Sequence, residues 1–236
     1  MEWRDECILL ASRPLGEGTA LIELFSGLHG RYGGALRGGA SRKMAPLLQP
    51  GAQLDATWRA RLDSQLGSFT VEPLRGRAGA LLSDRLALLG LGAVCALTRY
   101  ALPERQPYPE FYRHTVAVLD RLGHPGWLHD YALWELTLLE ETGYGLDLAQ
   151  CAVTGATEGL AYVSPRTGRA VTAEGAGDYA ARLLPFPAGL HKDGGLDAEG
   201  LKAALALSGH FLNDWLARAM DKPLPEARAR LVRAVA

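Results

Sequence analysis

Two Cys-x-x-Cys pairs about twenty residues apart are a common pattern for a four-coordinate structural zinc site. Residues 146–175 read LDLAQCAVTGATEGLAYVSPRTGRAVTAEG and start that pattern without completing it. Cys151 opens a pair, but Thr154 stands where the second thiol belongs. The returning stretch reads Val171, Thr172, Ala173, Glu174, and no cysteine follows Cys151. His191 is the one further donor nearby. A thiolate and an imidazole are too few for Zn²⁺, so no metal and no cofactor are expected.

A second constellation is cationic. From residue 31 to residue 61 the chain carries Arg31, Arg37, Arg42, Lys43, Arg59 and Arg61 against a single acid, Asp55. This local surplus stands out in a chain whose formal net charge is −1. In RGGASRK, 37–43, glycines join cations, so backbone N–H groups and side-chain charge could both approach phosphate. A solvated strand face beside a flexible loop is the plain alternative. Tyr32 and Phe69 are candidate base-stacking rings, and Trp58 reads as core.

Other chemistry finds little support. GLGAVC, 90–95, lies in an apolar helix and lacks a third glycine, and GGASRK has no P-loop spacing. There is no G-x-S-x-G and no H-E-x-x-H. His29 and His191 fall in turns, while His114, His124, His129 and His210 scatter along helices. Glu135, Glu140 and Glu141 read as solvent-facing at a helix end. No nucleophile, base and oxyanion site assemble, which favours a binding protein over an enzyme.

These residues need elements to position them. At 236 residues and 48% hydrophobic content, the chain can bury one large core or two modest ones. The opening MEWRDECILL lacks the basic region of a signal peptide, and no apolar run of 18 residues appears. Cys7, Cys95 and Cys151 form no disulfide framework, which fits a reducing cytoplasm. The first 75 residues read as β-rich. ECILLAS and TALIELF are strands, SGLHGRYGG is a turn, and GSFTVEPL is a last strand. Residues 52–63 alternate strictly, with Ala52, Leu54, Ala56, Trp58, Ala60 and Leu62 on the dry face. Five short strands suggest a small barrel.

Helical periodicity then takes over at 80–101, at 109–122, and from Pro125 to about Glu141. The last of these puts Trp127, Tyr131, Trp134 and Leu138 on one stripe. Residues 146–197 are irregular, and helices return at 198–220 and 224–235. The fold expected is α+β and multidomain. A five-stranded barrel of residues 1–78 precedes a helical domain of residues 79–236 that contains the irregular, zinc-less segment.

The order and spacing of several pieces resemble the RecO family of bacterial DNA repair proteins. They are ILLASRPLGEGTALIELFSGLHGR, RGGASRK, LLQPG (47–51), LLEETGYGLDLAQC (138–151) and YVSPRTGRAV (162–171), and the likeness runs from about 1 to 220. The resemblance implies an N-terminal OB-fold, a helical C-terminal domain and a non-catalytic recombination mediator of the RecF pathway, cytoplasmic and associated with the nucleoid. It implies binding of single- and double-stranded DNA, strand annealing, and help for RecA in replacing the single-stranded DNA-binding protein. RecR is the implied partner, with RecF as a further one. Some members hold zinc with four cysteines in the 146–175 loop, and this chain departs from them, so packing by Leu160, Tyr162 and Val163 should hold the loop instead.

The C-terminal tail of the single-stranded DNA-binding protein is acidic and ends in apolar residues. It needs an apolar pocket rimmed by cations. Arg113 and Arg121 as rim, with Tyr131 and Trp134 as wall, are the candidates. A protein-interaction module without DNA binding is the alternative from another class.

Overall fold

A computed structural model describes residues 1–62, 66–187, 189–190 and 195–235. The chain forms two compact units, Met1–Gly123 with Pro225–Leu231, and His124–Leu224 with Val232–Ala236.

The first unit is built on five strands, β1 (Glu2–Pro14), β2 (Thr19–Ser26), β3 (Gly30–Arg37), β4 (Gln53–Arg59) and β5 (Gly67–Arg75). They close into a barrel in the order β1-β2-β3-β5-β4, the β4 edge returning to β1. All pairings are antiparallel except β3 with β5. The long β1 serves both sides, pairing residues 7–14 with β2 and residues 2–8 with β4. The alternation in β4 points Leu54, Ala56 and Trp58 inward as expected, but the strand ends at Arg59 and Leu62 is exposed.

Residues 30–34, taken as part of a turn, belong to β3 instead. Their glycines have a packing reason. A Cβ on Gly34 would stand 2.6 Å from the Phe69 ring, so a bare backbone is needed where the two parallel strands meet.

Helices α1 (Arg85–Ala101) and α2 (Pro109–Arg121) belong to the same compact unit. Asp84 caps α1 by accepting from the Ala87 N–H, and Pro109 opens α2 at a first-turn position. The LLQPG stretch earns its glycine twice. Gly51 has φ of +80°, and a Cβ there would meet Leu91 of α1 at 2.4 Å. The expected β-to-α boundary near 78 separates strand from helix, but it runs through a tight knot. Arg77 is buried and donates to the Asp120 carboxylate of α2 at 2.6 Å, the Gly51 carbonyl at 2.7 Å and the Gln53 side chain at 2.9 Å.

The second unit contains α3 (Trp127–Glu141), then a three-stranded sheet of β6 (Leu160–Val163), β7 (Ala170–Thr172) and β8 (Leu184–Pro185) in the order β7-β6-β8. A short helix α4 (Ala173–Ala176) follows β7. Helix α5 (Ala198–Phe211) runs into a π-helical turn at Leu212–Ala217 and a last turn α6 (Arg218–Met220). Helix α7 (Glu226–Val235) ends the described chain. The described residues of the 146–197 segment therefore fold in short pieces, too short to show a period. Trp127, Tyr131, Trp134 and Leu138 are all buried. Glu135, expected to face solvent, is fully buried as well. It accepts from the Tyr131 and Ser208 hydroxyls, both at 2.6 Å.

Candidate nucleic-acid interface

The structure sorts the six cations predicted from the sequence into three groups. Arg31 lies on β3 with its side chain only 17% exposed. It donates to Glu23 at 2.9 Å and to the Leu102 carbonyl at 3.1 Å, and approaches Glu104 at 3.5 Å. Arg99 of α1 grips the same Glu23. Burial pushes the Glu23 carboxyl up, but Arg99 and Arg31 more than offset this and hold it below its usual range. Arg31 is thus committed to fixing α1 and the α1–α2 connector on the barrel, which removes it from the phosphate-contacting set.

Arg59 is intermediate. It ends β4 exposed and pairs with Glu2 at 2.7 Å. An exposed pair of this kind is screened by solvent, so a phosphate can replace the carboxylate at little cost.

Arg37, Arg42, Lys43 and Arg61 form the third group. All four are exposed, with no carboxylate partner among the described residues. Arg37 ends β3. Because Leu36 and Phe69 point inward, Arg37, Ser68 and Arg59 share the outer face of β3, β5 and β4. Arg61 lies just past β4.

Arg42 and Lys43 are held outward by the residues around them. After β3, Gly38 takes φ of +74°, and Gly39 sits too close to Ala20 to carry a Cβ. Ser41 then starts a helical turn, its carbonyl accepting from Met44 and Ala45. Met44 and Leu48 of that turn pack into the barrel core. The two cations between these anchors are left in solvent. The Gly39 and Ser41 N–H groups donate to Leu36 and Gly38 carbonyls, so these two are spent within the loop.

The barrel core claims Phe69, one of the two stacking candidates, and Trp58, which was read as core. Trp58 is 1% exposed and Phe69 is 4% exposed, while Tyr32 is half-buried.

On α2, Arg113 is exposed and pairs with Glu110, and Arg121 is exposed. Tyr131 and Trp134 are 0% and 2% exposed, stacked on each other in the core of the second unit. Neither ring can wall a surface pocket, so the predicted apolar wall is withdrawn. The stripe that suggested them was the buried stripe of an amphipathic helix.

The 146–175 loop brings its four knuckle positions together. Cys151 is buried, and its sulfur accepts from the N–H groups of Thr154 and Thr172, both at 3.3 Å, and of Val153 at 3.4 Å. The Thr172 hydroxyl lies at 3.5 Å. A Cβ on Gly175 would already be 3.1 Å from the sulfur. One thiol, two hydroxyl residues and a glycine do not make a zinc site. Among the described residues no group of three or more His, Cys, Asp or Glu could hold a metal. His191 lies outside the described residues. Burial pushes the Cys151 thiol up, but the side-chain and backbone donors of Thr154 and Thr172 bring it down to about 6. Leu160 and Tyr162 pack around Cys151, Val171 and Ala176, as expected of a loop held by packing.

Comparison with known proteins matches both halves of the chain. The family model described as Recombination protein O N terminal covers residues 1–77, and Recombination protein O C terminal covers residues 82–223. The chain belongs to the RecO family. It is 56% identical to a protein of Cereibacter sphaeroides named DNA repair protein RecO, across 100% of this chain and 99% of that one. Proteins of the same name from Ruegeria sp. and Jannaschia sp. are 54% and 55% identical over 100% of this chain, covering 99% and 96% of theirs. The five-stranded barrel is accordingly the OB-fold of a DNA repair family. No described helix is long and apolar enough to cross a membrane.

Proposed function

We propose that this RecO family member is a non-catalytic recombination mediator. It binds single- and double-stranded DNA through the barrel, anneals complementary strands, and helps RecA displace the single-stranded DNA-binding protein. The observation that carries the reading is the exposed set Arg37, Arg42, Lys43 and Arg61, which has no carboxylate partner among the described residues, whereas Arg4, Arg31, Arg59 and Arg75 of the same barrel are paired with carboxylates. Such cations exchange condensed counterions for protein contacts, so affinity should fall steeply with salt. Arg59 joins them by giving up Glu2.

RecR, and RecF where it takes part, are the proposed protein partners, together with the acidic tail of the single-stranded DNA-binding protein. Arg113 and Arg121 remain the proposed contacts for that tail. Their charge suits it, although the wall must come from residues other than Tyr131 and Trp134.

The test is binding of a fluorescent single strand, alone and with RecR and the single-stranded DNA-binding protein. Binding that weakens with salt, and annealing of strands coated by the single-stranded DNA-binding protein, are the expected results. Absence of DNA binding at low salt, with tail-peptide binding intact, would instead leave a protein-interaction module.

A further inference from the structure

One end of the barrel is floored by rings rather than aliphatic side chains. Trp3 of β1 pairs across the ladder with Trp58 of β4, which in turn pairs with Phe69 of β5. Tyr32 of β3 completes the set, its ring edge-on to both Trp3 and Trp58 at 5.1 and 5.0 Å. His29, in the β2–β3 turn, lies flat on Trp3 with ring centroids 4.4 Å apart and planes within 14°. Trp3, His29 and Tyr32 are all half-buried, so part of the cluster reaches solvent. Two indole donors in it, Trp3 Nε1 and Trp58 Nε1, are buried with no hydrogen-bond partner among the described residues.

A cation is brought to this cluster from outside the barrel. The α1–α2 connector is pressed onto the β2–β3 turn. Arg105 N–H donates to the Arg31 carbonyl and Tyr108 N–H to the Gly27 carbonyl, both at 3.0 Å. The approach is so close that a Cβ on Gly30 would fall 2.0 Å from the Gln106 carbonyl oxygen. It leaves Arg105 with φ of +64°, which a non-glycine residue rarely adopts, and sets its guanidinium 5.2 Å above the Tyr32 ring.

We propose that this aromatic end of the barrel docks unpaired bases of single-stranded nucleic acid, with His29 and Tyr32 as stacking surfaces and Arg105 as the cation at their rim. The inference rests on the DNA-binding reading above and divides its labour. Arg37, Arg42, Lys43 and Arg61 meet phosphates, which any strand supplies. The ring cluster meets base faces, which only an unpaired strand can offer. The His29–Trp3 stack shows that a flat ring already rests on this floor.

The experiment compares two fluorescent strands of equal length and charge, oligodeoxythymidylate and its fully abasic counterpart, with the full-length protein. The parent should prefer the strand with bases by about tenfold or more, the range of one base–aromatic stack. His29→Ala should cut that preference several-fold while leaving abasic-strand affinity unchanged. Tyr32→Leu should do the same if circular dichroism shows it folded, and His29→Ala serves alone if it is not. Equal affinity of the parent for the two strands, or a preference that survives His29→Ala, overturns the inference while DNA binding itself stands. Failure of the parent to bind either strand overturns both readings.

Discussion

Each compact unit buries a polar side chain that the groups around it must satisfy, and the two units solve that problem differently. In the first, the Arg77 guanidinium is surrounded by the Asp120 carboxylate, the Gly51 carbonyl and the Gln53 amide. In the second, the Cys151 sulfur is surrounded by the amides of Val153, Thr154 and Thr172. Arg77 keeps its full charge and needs a full countercharge. Cys151 can shed its charge by taking a proton, and its partners are dipoles only. The first arrangement cannot lose a member without stranding a charge, whereas the second degrades gradually. The loop around Cys151 therefore holds its geometry without any countercharge.

The largest expected effect follows from the Arg77 side of this comparison. Replacing Arg77 with Ala leaves the Asp120 carboxylate with Arg75 alone and the Gly51 carbonyl without its guanidinium donor. Breaking a buried pair in this way costs about 3 kcal/mol. Urea titration should show that loss. Arg77→Lys should recover only part of it, because an ammonium cannot address three planar acceptors at once. A variant as stable as the parent would show that the knot is incidental.

Arg42 and Lys43 are the opposite kind of cation, and they should separate binding from stability. Their joint replacement by Glu should move the unfolding midpoint by less than the equivalent of about 0.5 kcal/mol, as for other exposed sites. DNA affinity should fall about tenfold for every sequence tested. The log–log salt slope should become shallower by about 1.4, two contacts at roughly 0.7 each. Unchanged affinity would take the 37–43 loop out of the interface. If Arg31 were a phosphate contact, its replacement would alter the slope as well. The ion pairs it makes predict a stability loss instead.

The same contrast explains what could be read in the sequence. The wet and dry faces of β4 were legible, because strict alternation leaves few other solutions. The helices α2 and α3 were legible to within two residues, because Phe111, Val118, Trp127 and Leu138 recur at helical spacing. The strand β3 was hidden by Gly33 and Gly34, and the reason for Gly34 is the Phe69 ring 35 residues away. The commitment of Arg31 was hidden for a similar reason. Glu23 is close in sequence, but Leu102 and Glu104 arrive with the α1–α2 connector. Arg77 sat in a glycine-flanked stretch that read as a linker. Composition shows where cations are, and only the fold shows which of them have been used.

The last effect belongs to Cys151, where metal content beside the pH profile distinguishes a dipole-held thiolate from a metal ligand. Burial disfavours the charged sulfur, yet the Thr154 and Thr172 donors outweigh it and bring the folded pKa to about 6, against 9.0 for an ordinary thiol. The folded state therefore holds the thiolate where the unfolded chain still holds the thiol. Between those two values the unfolded chain binds more protons, so stability rises with pH across that window. The contribution is complete above pH 9 and is lost as pH falls through about 6. Cys151→Ser keeps an acceptor near the same amides but does not titrate there. The stability difference between parent and variant should grow from pH 6 to pH 9 and be flat below it. Thermal unfolding across that range measures the difference, and the same samples should hold far below one zinc per chain by elemental analysis. Chelator should leave their melting temperature unchanged. A stoichiometric metal, or a chelator-induced loss of stability, would mean that the loop recruits ligands beyond Cys151, Thr154, Thr172 and Gly175. A flat pH profile would mean that three amides at 3.3–3.4 Å do not hold the charge on sulfur.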